Sequence, residues 1–527
     1  MTRDETVALF EACEAKRGEA RAVALAQGKS KDEARAIAHE AAKAHWNAWA
    51  GPLLAERKAM EADGRWAAEK DWRGSLEPEN AETRAWMEKA AADFSRCLFL
   101  VRGGEGTQET AGEHSKEDGS GEPPVKSIQL EGNGADFSGF VFPGTATFES
   151  ATFSGYATFE SATFSGRARF ESATFTGPAS FESATFTGNA YFKSATFNGN
   201  ARFESATFTG PASFDSATFS GDASFKSTTF SGNARFESAT FTGNARFESA
   251  RFRSEANFIA INSQRAFRLI DARFQWRVPD FLSAKFAEPV LLDNVQLAAG
   301  IEPGGLLRSI FGGLLLWITG GFDAALSAKY RALKRLAIQS DDHRNEQIFF
   351  RGELRGRRYN EDKPWHPAFW VGILYEVASD FGRSILRPIL LLFALSLVSS
   401  WFYLGRHTLA DVSPRAQLQA RFLSHLPDRT GALFAAAQPA QALSCKQGKG
   451  DPAAAAVLLA IRQSSVIGAL DSSKNAQIYT CLYGTDGDPK APVVPGAVVL
   501  WGIGQTLLSA ALWFLFLLAL RNQFKIK

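Results

Sequence analysis

The residues in this chain that could perform chemistry are few and scattered. Seven histidines occur in 527 residues, and no cysteine or carboxylate accompanies His39 and His45 at the spacing of a zinc site. The runs Asp341-Asp342-His343-Arg344 and Asp486-Gly487-Asp488 are of a kind more common in turns and helix caps than in active sites. Hydrolase GxSxG, Walker, HExxH and strand-linked GxGxxG motifs do not occur. The sequence therefore predicts no enzyme, no metal site and no cofactor.

An eleven-residue repeat organises the middle of the chain and must position any functional surface. Phenylalanines recur at alternating spacings of five and six residues, and an alanine stands two positions before most of them. This spacing does not match the apolar stripe of a helix. It fits short extended runs in which Ala and Phe point inward and the residue between them points outward. The predicted core positions are Phe153, Phe159, Phe164, Phe170, Phe175, Phe181, Phe186, Phe192, Phe197, Phe203, Phe208 and Phe214.

One repeat cannot bury its own apolar face, so the repeats must stack into a solenoid with a continuous core. A coil of one repeat has no room for two phenyl rings, which predicts two repeats, four sides and about 22 residues per coil. The recurring glycines, often followed by Asn, Pro or Asp, predict turns. After Phe258 the pattern weakens, and Ser263 stands where a phenylalanine is due. We expect the closing coils there.

The Ala-x-Phe-x-x unit resembles the pentapeptide-repeat pattern, with one extra residue in every second pentapeptide. The resemblance implies a right-handed quadrilateral β-helix over residues 128–298. Some pentapeptide-repeat proteins mimic DNA and occupy DNA gyrase, which requires a strongly anionic rod. Here Lys193 and Lys226 interrupt the acidic ladder from Glu149 to Glu248, so we expect a solvated face with ion pairs between coils. The net charge of +2 also predicts no nucleic-acid partner.

Residues 1–101 are predicted to be helical, because they are rich in Ala, Glu, Lys and Arg. Ser30 starts one helix with a capping box, Gly51-Pro52 ends it, and a second helix covers residues 81–100. This region is interpreted either as a helical bundle or as a partner-binding or oligomerising arm. Residues 102–127 have almost no apolar side chain, which predicts a disordered linker.

Residues 299–385 are predicted to be a basic, helical juxtamembrane region. Its apolar run at 310–318 is too short to span a bilayer, which takes about 20 residues. The Lys and Arg residues that follow could hold anionic lipid head groups or form an ordinary solvated helix face. The runs YRALKRLA, FFRGELRGRR and LYEVASDFGRSILRP resemble the region behind the repeats in membrane-bound pentapeptide-repeat proteins of bacteria.

Two apolar segments, residues 386–404 and 497–520, are predicted to be transmembrane helices. Arg383 and Arg387 flank the first segment, and a basic tail, residues 521–527, follows the second. The positive-inside rule then places both termini in the cytoplasm. Together with the resemblance, this predicts a multi-pass protein of the bacterial inner membrane. The aromatic residues Trp401, Tyr403 and Trp501 are expected at the opposite interface.

Residues 405–496 are then predicted to be an extracytoplasmic loop domain. It holds Cys445 and Cys481, whereas Cys13 and Cys97 stay in the cytoplasm. Two cysteines in an oxidising compartment are candidates for a disulfide, and two unpaired thiols are the alternative. Residues 453–470 predict a helix packed on the outer domain. A helix between two spans is also typical of a pore, although the Thr-x-Gly-Tyr-Gly filter sequence is absent.

Two functions fit these features. The first is a membrane-anchored protein-interaction scaffold that displays a rigid cytoplasmic β-solenoid to a protein partner of unknown identity. The alternative is a channel- or transporter-like homo-oligomer, in which the spans and the helix at 453–470 line a path and the solenoid is a cytoplasmic regulator. The sequence names neither the partner nor the oligomeric state.

Overall fold

The computed structural model describes residues 1–70, 76–101, 125–130, 133–297, 323–361, 366–410, 451–465, 468–469, 472–483 and 494–524. The chain folds into two compact units, Met1–Asn360 and Glu361–Lys527. The first contains the repeats, and the second contains the two apolar segments.

Four parallel sheets form the walls of the solenoid, and we number them faces 1 to 4 in chain order. Face 1 has the strands Gly134–Asp136, Tyr156–Thr158, Ala179–Ser180, Ala201–Arg202, Ala223–Ser224, Ala245–Arg246 and Phe267–Arg268. Face 2 has Val141–Phe142, Thr163–Phe164, Thr185–Phe186, Thr207–Phe208, Thr229–Phe230, Arg251–Phe252, Arg273–Phe274 and Gln296–Leu297. Face 3 has Ala92–Asp93, Ala146–Thr147, Ala168–Arg169, Ala190–Tyr191, Ala212–Ser213, Ala234–Arg235 and Ala256–Asn257. Face 4 has Lys126–Leu130, Cys97–Val101, Thr152–Phe153, Thr174–Phe175, Thr196–Phe197, Thr218–Phe219, Thr240–Phe241, Asn262–Ser263 and Lys285–Phe286.

The strand register confirms the predicted quadrilateral solenoid. Ala157 pairs with Ala179 and Phe164 with Phe186, so each coil contains two repeats. Sheets of seven to nine strands correspond to about seven coils. The handedness of the solenoid stays a prediction.

Stacked phenyl rings fill the interior. Phe203 is fully buried and stacks on Phe181 of the preceding coil, with ring centroids 4.8 Å apart and planes 2° from parallel. It meets Phe214 of the same coil edge to face at 5.3 Å. The other predicted core phenylalanines are each at most 1% exposed. Face-to-face stacking between coils and edge-to-face contact within a coil together give close packing without voids.

The repeat changes near its C-terminal end, and the packing compensates. Ser263 pairs with Phe241 and so occupies an inward phenylalanine position. Phe267, which pairs with Ala245, occupies an inward alanine position. Its ring centroid lies 5.9 Å from that of Phe241. The Phe267 ring, at an alanine position, thus fills the space that Ser263 leaves at a phenylalanine position.

The turn geometry differs from the prediction. Positive φ angles fall on the serines that follow each Phe-x pair, such as Ser161 (φ 55°) and Ser205 (φ 58°). The glycines from Gly144 to Gly243 also lie at bends but have no positive φ. A Cβ on Gly210 would lie 2.5 Å from the Gly188 carbonyl oxygen of the preceding coil. Close approach of coils, rather than the turn itself, requires glycine.

Helices α1 (Arg3–Ala26) and α2 (Lys31–Ala62) cover the N-terminal end of the solenoid. The Phe10 ring stacks on Phe137 with centroids 4.8 Å apart. Trp46 is fully buried in the same core. The predicted capping box at the start of α2 is present.

Polar side chains of α2 satisfy the backbone of the first coil. Trp46 Nε1 donates a hydrogen bond to the Val141 carbonyl. The Asn47 side chain donates to the Gly139 carbonyl and accepts from the Val141 amide. Strand-edge groups that would otherwise be unpaired are therefore bonded to the cap.

The prediction that Gly51-Pro52 ends the first predicted helix is wrong. Helix α2 continues through Pro52 to Ala62. Its C-terminal part packs Leu53 and Met60 in a buried cluster with Trp86. This tertiary packing offsets the hydrogen bond that proline cannot make.

The boundary between helical region and solenoid is also corrected. The helix predicted over residues 81–100 ends early, as α3 (Ala81–Ala90), and Ala92–Asp93 and Cys97–Val101 are solenoid strands. The run from Ala92 to Phe99 carries the Ala-x-Phe signal of the repeat, so its Ala and Phe point inward. The solenoid begins there rather than at residue 128. Antiparallel strands Ala68–Lys70 and Leu76–Pro78 lie outside it.

Helices α4 (Leu326–Gln339) and α5 (His343–Asn360) cover the C-terminal coils. Their apolar side chains, including Phe349, belong to the same buried cluster as the solenoid core. The Asn345 side chain donates a 2.9 Å hydrogen bond to the Leu292 carbonyl. These helices close the solenoid.

This packing corrects the predicted juxtamembrane region of residues 299–385. Helices form as predicted, but residues up to Asn360 belong to the solenoid unit. Lys329 and Arg358 are only 5% and 2% exposed, so these two side chains are not available to lipid head groups. The predicted apolar run at 310–318 and most of the predicted linker lie outside the described residues.

The second unit is helical throughout the part that the structure describes. Its helices are α6 (Pro367–Ser379), α7 (Leu386–Ala410), α8 (Pro452–Ser464), α9 (Ser472–Tyr483) and α10 (Gly496–Phe524).

Two of these helices are long and apolar enough to cross a membrane. They are Leu386–Arg406, of 21 residues, and Gly496–Asn522, of 27 residues. In the most apolar 18-residue stretch of each helix, only 33% and 28% of the stretch is buried. Leu500 and Leu507 are 73% and 68% exposed. A core helix of a soluble protein would bury such side chains, so the two candidate membrane helices agree with the predicted spans.

Within the described residues, helix α8 packs against both candidate spans, whereas the sequence predicted a helix packed on the outer domain. Its alanines Ala453 and Ala456 are buried in a cluster with Tyr403 of α7 and Val498 of α10. Small side chains allow this close approach of helices. Tyr403 is fully buried beneath α8, and its place at the membrane interface stays a prediction.

Candidate functional site

Two solenoid faces present columns of short hydroxyl side chains. The outward residue of each strand is threonine over most of faces 2 and 4, and it changes to Arg, Asn or Lys in the last coils. Thr176 Oγ1, on the corner after face 4, donates to the Phe153 carbonyl of the preceding coil at 2.8 Å. Thr187 does the same toward Phe164. These faces are flat, polar and internally hydrogen-bonded.

The acidic ladder of the sequence is two separate columns. Because a coil contains two repeats, alternate acidic positions stack on different corners. Glu149, Glu171, Lys193, Asp215 and Glu237 follow face 3. Glu160, Glu182, Glu204, Lys226 and Glu248 follow face 1.

Arginines bridge carboxylates of successive coils, as the sequence predicted. The Arg169 guanidinium lies 2.8 Å from Glu149 and 3.4 Å from Glu171. Arg235 repeats the arrangement between Asp215, at 2.9 Å, and Glu237. Burial raises the pKa of Glu171, although Arg169 acts against this. The solenoid therefore offers both signs of charge rather than an anionic strip.

A polar cluster joins the N-terminal cap to face 1. Arg17 Nη1 lies 3.0 Å from Asp136 Oδ2, and His39 Nδ1 lies 2.9 Å from the same oxygen. The Ser138 hydroxyl donates a hydrogen bond to the same carboxylate. Burial alone would raise the pKa of Asp136, but the hydrogen bond with His39 and the charge of Arg17 hold this pKa well below its usual value. Beside the cluster is an open cavity of about 470 Å³, lined in part by Arg35. His39 thus pairs with a carboxylate and secures the cap.

The acidic run at 341–344, which lies within the described residues, does not assemble a site. His343 lies 2.7 Å from Asp341 and 3.2 Å from Glu346 at the start of α5. Asp342 Oδ1 accepts a hydrogen bond from the Asn345 amide at 3.1 Å, which is capping geometry. Asp486 and Asp488 lie outside the described residues. Among the residues that are described, no three His, Cys, Asp or Glu side chains are grouped to hold a metal ion.

A hydrogen-bonded network joins α8 to both candidate spans. Ser464 Oγ, at the end of α8, lies 2.7 Å from Ser396 Oγ of α7. The Gln505 amide of α10 donates to Ser464 Oγ at 2.9 Å and to the Ala460 carbonyl at 2.8 Å. Trp513 Nε1 donates to the Ser464 carbonyl.

A second layer of this network borders a cavity of about 350 Å³. Thr506 Oγ1 donates to Gln463 Oε1 at 2.6 Å, and Gln463 Nε2 donates to the Tyr479 hydroxyl. A Cβ added at Gly502 would lie 3.5 Å from the Tyr479 hydroxyl and 3.7 Å from Gln463 Nε2. The sequence prediction did not identify these residues. The signal in the sequence that could have identified them is the group of polar residues Gln505, Thr506 and Ser509 in the middle of an otherwise apolar span.

The cysteines divide between the two units. Cys13 and Cys97 are free and buried, and burial raises the pKa of each thiol to about 12, which leaves them unreactive. Cys481 is disulfide-bonded. Its predicted partner, Cys445, lies outside the described residues, so the pairing of these two stays a prediction.

Comparison with protein families finds one match. Residues 137–185, 170–218 and 214–260 match the family model of pentapeptide repeats (9 copies). The resemblance drawn from Ala-x-Phe-x-x is therefore confirmed, and the solenoid is built of pentapeptide repeats. Comparisons with curated proteins and with solved structures give no match.

Proposed function

We propose that this chain is a membrane-anchored scaffold for protein interaction, which holds its β-solenoid on the cytoplasmic side of a bacterial inner membrane. The filled interior carries the proposal. Phenyl rings and, in the last coils, also aliphatic side chains fill the solenoid, and helices cover both ends. A partner can therefore bind only to the outer lattice.

The outer lattice suits a protein partner better than a nucleic acid. Side chains repeat at the spacing of the coils, with ring stacks of 4.6–5.0 Å through the regular part. Each acidic corner column is interrupted by one lysine and is paired in part with arginines of the adjacent strands, and neutral threonines cover most of faces 2 and 4. Such a surface gives orientation through charge complementarity without the one-signed field that attracts a polyanion.

In-cell photo-crosslinking tests the proposal. A photoreactive amino acid replaces one outward residue at a time in the central coils of the full chain: Arg202 on face 1, Thr207 on face 2, Ser213 on face 3 and Thr218 on face 4. We expect one face to give a recurrent protein adduct and the opposite face to serve as its control. Absence of an adduct from all four positions would contradict the scaffold.

A channel- or transporter-like oligomer, with the solenoid as cytoplasmic regulator, is the second candidate. The position of α8 against both candidate spans favours it. Ion flux through liposomes that contain the purified full chain would support this function. Flux that is unchanged from protein-free liposomes would contradict it.

A further inference from the structure

We infer that the protein partner docks on the C-terminal part of face 2, where unpaired arginines and an exposed tryptophan bind a short acidic segment of its chain. We call this group the arginine surface, and its residues are Arg251, Arg253, Arg273 and Trp276. The inference rests on the proposed scaffold function, because it names the chemistry of the partner that the scaffold would hold.

The balance of charge changes where the regular repeat ends. From residue 150 to 249 the coils carry seven basic and eight acidic residues. From residue 250 to 277 they carry six arginines, no lysine and two carboxylates. The stretch 298–322, which lies outside the described residues, contains one glutamate and one arginine and so adds no net charge. The positive excess therefore belongs to the last coils and not to the repeat pattern.

Two of these arginines lie next to each other on face 2. Arg251 aligns with Thr229 of the preceding coil and with Arg273 of the following coil, so two strands about 4.8 Å apart carry the same charge. Both arginine side chains are exposed. Like charges directly opposite each other on a sheet are destabilising, and the threonine of the earlier coils would avoid that cost. A bound anionic group would remove the repulsion.

The carboxylates near this surface do not neutralise it. The three arginines of the arginine surface have no ion-pair partner among the described residues. Glu255, which follows Arg253 on the chain, lies 3.8 Å from Arg277 and 4.0 Å from Lys329. Asp271 lies at the bend before the last of the three arginines and forms no ion pair with any described residue. The guanidinium groups are therefore available to an external carboxylate.

Trp276 adds an aromatic side chain beside the arginines. It is 64% exposed, and it occupies the position that Gly232 has two coils earlier. Tryptophan and arginine are enriched among the residues that contribute most to protein interfaces, whereas lysine is depleted there. A guanidinium also binds a carboxylate through two parallel hydrogen bonds. This composition suits a protein segment that presents Asp or Glu side chains.

A nucleic acid fits the arginine surface less well. Its affinity comes from the neutralisation of many phosphates along a track, and here the positive charge ends at the neutral threonines of face 2. Those threonines continue a flat face along which an extended peptide can lie. The charge and the shape of the surface thus favour a short acidic peptide.

Binding of a defined acidic peptide to the full chain in detergent tests the inference. The probe is a fluorescent polyglutamate peptide, and fluorescence anisotropy reports its affinity. Arg251→Thr combined with Arg273→Thr restores the residue that face 2 has in the earlier coils, so this variant should fold. We expect it to bind the peptide about tenfold more weakly, which is the effect of losing two exposed ion pairs.

A charge-matched variant provides the control. Arg202 on face 1 and Arg265 after the face 4 strand are exposed and have no ion-pair partner among the described residues. Arg202→Thr combined with Arg265→Thr removes the same charge, and it should change peptide affinity by less than about twofold because distant surface charges are screened. Hydrogen exchange in the last coils of the Arg251→Thr, Arg273→Thr variant should be unchanged or slower, since a repulsion is lost.

A photoreactive amino acid shows where the peptide binds. Gln275 and Gln264 are matched positions, because each is exposed directly after its strand. Their backbone amides donate to the Phe252 and Phe241 carbonyls of the preceding coil. Gln275 follows face 2, and Gln264 follows the opposite face 4. We expect the polyglutamate peptide to crosslink from Gln275 and not from Gln264.

Several results would overturn the inference. They are equal crosslinking from both positions, unchanged affinity of the Arg251→Thr, Arg273→Thr variant, and faster exchange in its last coils, which would show that these arginines serve the fold. Binding of oligothymidylate as tight as that of the peptide would assign the surface to a nucleic acid instead. Lipid adducts from Gln275 in nanodiscs of anionic lipid would assign it to a membrane. The in-cell test at the central coils reports separately on the scaffold itself.

Discussion

Replacing Gly210 by alanine tests why glycine recurs in this solenoid. The added Cβ would lie 2.5 Å from the Gly188 carbonyl oxygen. Ordinary contact requires about 1 Å more, so the coil must move away by about that distance. The Thr209 amide bonds to the Phe186 carbonyl of the preceding coil at 2.8 Å. A shift of about 1 Å takes that bond beyond hydrogen-bond distance.

The expected cost follows from those contacts. Loss of about two backbone hydrogen bonds contributes about 1 kcal/mol each, and the gap opened in the ring stack adds to it. We therefore expect Gly210→Ala to destabilise its coil by about 2–4 kcal/mol.

Ser205→Gly, in the same coil, is the matched control with the opposite sign. Ser205 has a φ of 58°, which costs a residue with a Cβ about 1–2 kcal/mol. Glycine removes that strain but loses more entropy on folding, by about 0.5–1 kcal/mol. We expect a net stabilisation of about 0.5–1 kcal/mol.

Hydrogen exchange measured by mass spectrometry on the full chain in detergent reports both effects locally, because a repeat protein does not unfold as one two-state unit. A loss of 2–4 kcal/mol corresponds to about 30- to 1,000-fold faster exchange in the affected coil. Peptides from the distant coils provide the reference. Unchanged exchange in Gly210→Ala would refute the close-approach explanation, and faster exchange in Ser205→Gly would refute the strain explanation.

Four further outcomes are expected. Phe203→Ala should cost about 3–5 kcal/mol by leaving a cavity in the ring stack, whereas the outward Thr207→Ala should change stability by less than about 0.5 kcal/mol; exchange in the central coils compares them. Asn47→Leu removes the two hydrogen bonds of this side chain to the first coil, which should lower the local stability of α2 by about 2 kcal/mol. Limited proteolysis should then cleave α2 faster. The folded pKa of Asp136 lies below its ordinary value of 3.8, so its stabilising effect is complete above about pH 4 and is lost as pH falls through the folded pKa; proteolysis of α1 should accelerate in that range, and Asp136→Asn should show a loosened cap at neutral pH already. Gln505→Leu should weaken the contact of α8 with the spans by about 2 kcal/mol, which hydrogen exchange would report as faster exchange in α8. Unaltered exchange would mean that the network does not hold α8 in place.

The regular coils were predictable because ring size and spacing leave few alternatives. Two phenyl rings per repeat need an interior that only a two-repeat coil encloses, and the register of Ala157 with Ala179 agrees. The caps were not predictable in the same way. Phe10 and Trp46 stand on ordinary helical patterns, and only the exposed end of the first coil gives them a partner. Ala92 and Phe94 match the Ala-x-Phe pattern of the repeat, but one short match is weak evidence in a segment whose composition favours helix.

The membrane unit shows a different limit. Hydropathy predicts spans because lipid imposes a length, and both candidate spans are present. It does not predict where a weakly apolar helix such as α8 packs, since its alanines suit a loop domain and a helix interface equally. The hydrogen bonds of Ser396 and Gln505 fix α8 against the spans. The sequence does not show these bonds, because it does not reveal which residues of α8 are the partners.

Because a coil consists of two repeats, the architecture distinguishes odd from even changes in copy number. Duplication of one eleven-residue repeat would rotate everything downstream by half a coil, exchanging the two acidic corners and moving the closing helices to the opposite side. Duplication of a pair would preserve every column and lengthen the rod by one strand spacing, about 4.8 Å. The distance between the two ends can therefore evolve in fixed increments, and descendants of this gene should differ by whole coils.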